Sequence, residues 1–319
     1  MDGKRKDRSA PQAFRAPLAY ENPAFLNSPD GRALRFLSEY SEPLARFRRE
    51  KVQDTVVFFG SARFASLDSA QQKLEVLERP GSVKPAPVEE QPASNGALEA
   101  SDPEHASLRL KRARAAVEMA QYYEDARKLA SMLTTWSKSI RSKRRRFVVT
   151  SGGGPGIMEA ANLGAYEAEG KTIGFNIRLP YEQMPNPYIS PELNFEFHYF
   201  FMRKYWFAYL AKALVVFPGG FGTMDELFEL LTLAQTGKLA KKMTVVIYGR
   251  KYWERIINFQ ALVDWGAISQ RDLDLFFFAD TPEDAFEILK ENLTKHHLED
   301  SRERKPKDEG GPEIAKTLP

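Results

Sequence analysis

The 319-residue chain contains no cysteine, which removes disulfides, thiolate metal ligands and a cysteine nucleophile from consideration. It has only four histidines, at positions 105, 198, 296 and 297, too scattered to spell a zinc or iron site, so no metal is expected. Long apolar runs are also missing. Nothing approaches the ~18 residues a spanning helix needs, and the basic start MDGKRKDRSAPQ is not followed by the apolar stretch of a signal peptide. No membrane partner is expected, and the reducing cytoplasm is the expected compartment. Excess charge of one sign is absent as well. The 46 Lys and Arg against 43 Asp and Glu leave a formal +3, which demands no nucleic acid partner. The run RSKRRR from Arg141 to Arg146 reads as a solvated turn between a helix and a strand.

Two nucleotide fingerprints are lacking too. A G-x-G-x-x-G motif counted from Gly152 and Gly154 meets Ile157 where the third glycine belongs, and counted from Gly220 and Gly222 it meets Asp225. Gly237-Lys238 is followed by Leu239 and has no first glycine, so the phosphate loop of ATPases is absent.

What is present is an alternation. TVVFFGSAR (Thr55 to Arg63), FVVTSGGG (Phe147 to Gly154), TIGFNI (Thr172 to Ile177), ALVVFPGG (Ala213 to Gly220), TVVIYG (Thr244 to Gly249) and LFFFAD (Leu275 to Asp280) read as strands buried on both faces. Between them lie helical patterns. Tyr122 to Ile140 carries Ala126, Leu129, Ala130 and Leu133 on one stripe, Ile157 to Glu169 closes with Gly170, and HYFFMRKYWFAYLAKA forms an aromatic-rich helix. This order predicts an α/β fold, a doubly wound, Rossmann-like parallel sheet in a single domain over residues 21–299. Residues 1–20 and 300–319 are too poor in apolar side chains to order and are expected to be disordered tails. A Pro-rich, low-complexity insertion is expected over about residues 66–107.

Two glycine-rich turns follow strands, SGGGPGIMEAAN (Ser151 to Asn162) and PGGFGTMDE (Pro218 to Glu226). Such turns let the backbone approach a ligand, and the free N–H groups of the helix that follows attract phosphate. Thr223 and Glu226 also fit a capping box, in which each side chain would bond the other's backbone N–H. Arg203-Lys204, on the aromatic helix, would then be the nearest cations to a bound phosphate; an arginine offers it a planar fork of donors.

SGGGPGIMEAAN, MRK and PGGFGTMDELFELLTLAQTGK together resemble the LOG ("Lonely Guy") family of nucleoside 5'-monophosphate phosphoribohydrolases in its longer bacterial form. FFGSAR, IRLPYEQMPNPYI and VIYGRKYW extend the resemblance, which covers roughly residues 30 to 290 apart from the insertion. It implies hydrolysis of the N-glycosidic bond of AMP or an N6-modified adenine nucleotide, without a cofactor, to free base and ribose 5-phosphate. It also implies a homo-oligomer, a dimer or larger. By the same resemblance Gly219, Gly220, Phe221, Gly222 and Thr223 would hold the 5'-phosphate, with Gly153 and Gly154 lining the cleft. Arg203 and Glu226 match the family's catalytic pair, Lys204 stands beside them, and Thr232 and Glu182 match further contacts. A protein that binds a nucleotide or another phosphorylated ligand without turning it over would use the same cleft. A pyridoxal-dependent decarboxylase is disfavoured, because no lysine stands out as a Schiff-base site.

Overall fold

A computed structural model describes residues 15–79, 103–180, 184–239 and 241–299. Most of both expected tails, and the Pro-rich stretch 80–102, lie outside the described residues. The chain divides into two compact units, residues 1–42 and 43–319. The described part of the first contains a short turn at Ala19–Glu21, helix α1 (Pro23–Leu26) capped by Asn22, and the beginning of α2 (Arg32–Arg49).

The second unit is built on seven parallel strands. They are β1 (Thr55–Phe59), β2 (Val148–Ser151), β3 (Thr172–Ile177), β4 (Asn194–Phe197), β5 (Ala211–Val216), β6 (Thr244–Tyr248) and β7 (Phe276–Ala279), in spatial order β4-β3-β2-β1-β5-β6-β7. The helices are α3 (Leu67–Glu78), α4 (Pro103–Ser139), α5 (Ile157–Glu167), α6 (Phe200–Leu210), α7 (Phe221–Gln235), α8 (Arg250–Ile256), α9 (Phe259–Asp264) and α10 (Pro282–Leu293). None among the described residues is long and apolar enough to cross a membrane.

The two-residue period of a strand sends alternate side chains to opposite faces, and the central strands are apolar at both phases. Val57, Phe59, Leu214, Val216, Val245 and Ile247 join one core with Phe47, Trp206, Phe207 and Leu227. Val56, Phe58, Ala213, Val215, Val246 and Tyr248 join the other, where α4, α5 and α10 pack. The stripe read from the sequence is there: Ala126, Leu129, Ala130 and Leu133 are fully buried.

The structure differs from the sequence reading at four places. The strand β4 was not foreseen, since NFEF is four residues long and, lying at the sheet edge, leaves Glu196 exposed. A short strand half in water carries too little apolar signal to read. Helix α4 starts at Pro103 instead of Tyr122, and Leu67–Glu78, inside the expected insertion, is the helix α3. The helix expected to end at Glu169 ends at Glu167, and Glu169 turns the chain with φ 53°.

The strand order reverses beside β1, because β1 is flanked by β2 on one side and β5 on the other. A doubly wound sheet opens its crevice at such a switch point, outside the carboxyl ends of the strands. Both glycine-rich turns emerge there, separated only by β1, which at ~4.8 Å between neighbouring strands puts them about 10 Å apart.

Candidate active site

The turn after β2 is held by a buried polar network. Ser151 Oγ donates to Asn162 Oδ1 at 2.6 Å and accepts from the N–H of Gly153 at 3.0 Å. Asn186 Nδ2 donates to the carbonyls of Gly153 and Gly154, each at 3.1 Å, and to Asn162 Oδ1 at 2.9 Å. Asn162 in turn donates to Thr172 Oγ1 and to the carbonyl of Ile173. Gly153 has φ +76°, and a side chain there would run into Asn176, so only glycine fits this bend.

The turn after β5 is tied to its neighbours through backbone and one tyrosine. The N–H of Phe217 bonds the carbonyl of Phe59, Ser61 N–H bonds Pro218, and Tyr252 of α8 donates its hydroxyl proton to the carbonyl of Gly219 at 2.9 Å. A Cβ on Gly219 would strike Thr223, whereas at Gly220 and Gly222 it would meet nothing within 4 Å. Those two positions are exposed and leave bare backbone facing open space.

The capping box expected from Thr223 and Glu226 does not form. Helix α7 begins at Phe221 with Gly220 as N-cap, three residues earlier than the box requires, and no side chain caps it. The first helical bond runs from Met224 N–H to the Gly220 carbonyl at 3.0 Å. The N–H groups of Phe221, Gly222 and Thr223 therefore have no acceptor within the helix, and they sit at its positive dipole end. Such a helix start can hold an anion.

Glu226 lies a turn further along, on the inward face with Thr223 and Leu227, and only 7% of it is exposed. Burial raises its pKa from the ordinary 4.5 to about 7, opposed by Arg203 and Lys204 and aided by Glu229 and Asp225. Arg203 comes from α6. Its Nε donates to the carbonyl of Phe175 at 2.7 Å, a second nitrogen to that of Gly152 at 3.3 Å, and the guanidinium lies 5.2 Å from the ring centre of Phe207. Burial lowers Arg203 to about 10 while Glu226 pulls it upward. No contact of ion-pair length joins Arg203 and Glu226. The arginine is pinned by the carboxyl ends of β2 and β3, and it acts on the carboxylate through its field.

The sequence-predicted residues thus divide. Gly153, Gly154, Arg203, Gly219 to Thr223 and Glu226 converge on the carboxyl edge of the sheet. Thr232 does not, and Lys204 stands between the two cases, near enough to act on Glu226 through its field but paired elsewhere. Lys204 Nζ is 2.7 Å from Asp225 and 3.0 Å from Glu229, on the outer side of α7. Thr232 is exposed on that same side, its hydroxyl bonded to the carbonyl of Phe228 at 2.7 Å. It lines an open groove of about 590 Å³ with Phe221, Met224, Asp225 and Phe228. Glu182 lies outside the described residues. Sequence reading missed Asn162, Asn186 and Tyr252 as site-builders, although all three stand within the blocks that carry the resemblance.

Residues 158–289 match the family model described as "Possible lysine decarboxylase". No curated protein matches the chain. Among solved structures, two of the molybdenum cofactor carrier protein from Chlamydomonas reinhardtii align at 20% and 22% identity, with TM-scores of 0.36 and 0.38. Each covers 55% of this chain and 89% of its own. The structural-genomics target TM1055 aligns at 25% identity and a TM-score of 0.39, over 54% of this chain and 89% of its own. Within the matched residues 158–289 lie Arg203, the PGGFGTMDE turn and Glu226, so the part of the chain that is similar to this family model carries most of the candidate site.

Proposed function

We propose that the protein hydrolyses the N-glycosidic bond of a nucleoside 5'-monophosphate, AMP or an N6-modified adenine nucleotide, to free base and ribose 5-phosphate. The observation that carries this reading is Glu226, a carboxyl group buried to 7% exposure and raised to about 7, one turn beyond an uncapped helix start. A structural role alone gives no reason to bury a charge at that cost; a developing positive charge beside it does.

In this reading the N–H groups of Phe221, Gly222 and Thr223, with the open backbone of Gly220, take the 5'-phosphate. Gly153 and Gly154 line the far wall. Departure of the base with the bonding electron pair leaves an oxocarbenium-like ribosyl group, which the Glu226 carboxylate stabilises. Water then adds to C1' and gives up a proton, and the leaving base nitrogen gains one. A group with a pKa near 7 suits the acceptance of that proton at neutral pH. Arg203 offsets the repulsion between Glu226 and the phosphate, and its two backbone anchors keep it from collapsing onto either. Only water is needed as co-reactant, and the cytoplasm is the compartment proposed. We place a second copy of the chain on the outer face of α7, where Phe221 is 91% exposed and Phe228 38%. There Thr232 would serve a site shared between subunits.

The test is release of adenine from AMP by the pure protein, followed chromatographically. Arg203→Ala and Glu226→Gln should each lower the rate by about a hundredfold or more. Retention of AMP binding by Glu226→Gln with loss of turnover supports catalysis. If neither AMP nor any other common monophosphate yields free base while binding persists, the protein is a binder and the proposal fails.

A further inference from the structure

The opposite edge of the sheet carries a second concave surface. The amino end of β2, the carboxyl end of α4, the turn after α5 and the segment entering β1 enclose a cleft of about 400 Å³. Seven cationic side chains line it against one carboxylate, Glu169. Three are already matched. Arg146 lies 2.7 Å from the buried Asp54, Lys171 is 2.8 Å from Glu192, and Lys138 meets Glu169 at 3.7 Å and the Ala168 carbonyl at 2.8 Å. Lys51, Lys143, Arg144 and Arg145 have no carboxylate within ion-pair distance among the described residues.

Two helix ends point into this region, and each carries about half a negative charge, so together they offset about one cation. Arg145 Nε also donates to the Glu50 carbonyl at 3.2 Å, and the charge of Lys51, Lys143 and Arg144 remains without a carboxylate in the cleft to offset it. Two other observations fall at the same place. Thr134 lines the cleft, is 4% exposed, and its hydroxyl has no hydrogen-bond partner. The three non-glycine residues with positive φ among those described, Lys51, Phe147 and Glu169, all sit in the segments that form the cleft. L residues adopt that conformation at a cost and do so where surrounding structure or function imposes it.

We infer that this cleft binds a small anion bearing several phosphate groups, at a site separate from that of Glu226. Its size is that of a small-molecule site. No aromatic ring lines it, so it offers phosphate-binding cations without a stacking platform for a base. That disfavours a nucleic acid strand, as does the near balance of 46 basic and 43 acidic residues over the whole chain.

Inorganic tripolyphosphate is the probe, titrated calorimetrically into the full-length protein at about 150 mM salt, where attraction beyond ~8 Å is screened. The double variant Lys143→Ala/Arg144→Ala changes two exposed side chains away from the Glu226 edge, and melting at the wild-type temperature will establish that it folds. Wild type should bind, and the variant should bind at least about tenfold more weakly, as loss of charge-assisted contacts requires. AMP hydrolysis should be unchanged in the variant when the probe is absent. No binding to wild type, or equal binding to both proteins, overturns the inference. A single-stranded oligonucleotide that binds more tightly than tripolyphosphate, and weakens by the same factor in the variant, overturns the small-anion assignment.

Discussion

Replacing Glu226 by glutamine should make the ligand-free protein more stable at alkaline pH. Burial moves this carboxyl from 4.5 to about 7, with the attraction of Arg203 and Lys204 already counted in that value. A shift of about 2.5 units at ~1.36 kcal/mol per unit is about 3 kcal/mol of unfavourable free energy in the ionised folded state. The sign follows from the proton balance. Below 4.5 the group is neutral in folded and unfolded chains alike, and no penalty is felt. Between 4.5 and about 7 the unfolded chain has released a proton that the folded chain keeps, so stability falls as pH rises, and above about 7 the loss is complete. Glutamine copies the neutral acid in shape and keeps that state at every pH. Chemical and thermal unfolding of both proteins should therefore agree near pH 4.5 and diverge by about 3 kcal/mol at about pH 8.5, the variant melting some 6 °C higher at roughly 2 °C per kcal/mol. A variant less stable than wild type at about pH 8.5 would refute the reasoning, since it would mean that the field of Arg203 outweighs burial and the carboxylate is at home in the fold.

The rate of base release should carry the same group. With the carboxylate as the working form, activity falls about tenfold per pH unit below about 7 and levels above it, and a flat profile across that range would exclude Glu226 from the chemistry. Asn186→Ala removes donors to the carbonyls of Gly153 and Gly154 and to Asn162, which should loosen the turn after β2. Urea unfolding should show a loss of about 1 to 3 kcal/mol, with KM for AMP raised more than kcat is lowered. Arg146→Met leaves Asp54, 1% exposed, without its cationic partner, and equilibrium unfolding near neutral pH should show about 3 to 5 kcal/mol lost.

The layout of the sheet was legible because its central strands have to be apolar at both phases, and runs such as TVVFF and TVVIY have few other uses in a chain of this polarity. The edge strand β4 escaped because one of its faces meets water, and α3 escaped because its single fully buried residue, Ala70, gives no stripe to read. At the candidate site, the glycine-rich turns could be read from their pattern, whereas Glu226 is singled out by the LOG resemblance, its Thr-x-x-Glu spacing pointing instead to a cap that does not form. Asn162, Asn186 and Tyr252 could not be read, because each acts by bonding a backbone carbonyl or a buried side chain far away in sequence, and an isolated Asn or Tyr announces no partner. The differing partners of Arg203 and Lys204 have a related reason. Adjacent positions on a helix point about 100° apart, so Arg203 and Lys204 serve different surfaces, one toward β2 and β3 and the other toward Asp225 and Glu229.

The nine residues PGGFGTMDE show how a sequence rule can fail informatively. Thr-x-x-Glu is the pattern that stabilises a helix start, typically by ~1 kcal/mol for the cap alone. Here the helix begins at Phe221, the cap is a glycine without a side-chain bond, and the carboxylate that could have reached back is buried instead. The segment thus gives up a cap and accepts a charge penalty of about 3 kcal/mol, two concessions against stability in one turn of chain. Both concessions favour the same thing: unsatisfied N–H groups where an anion can sit, and a strained carboxylate where positive charge can appear. Binding a phosphate at the helix start would raise the Glu226 pKa further, whereas a ribosyl cation would lower it. If the proposed reaction is the one this site performs, the arrangement would be least favourable before bond breaking and most favourable during it, as differential binding of a transition state requires.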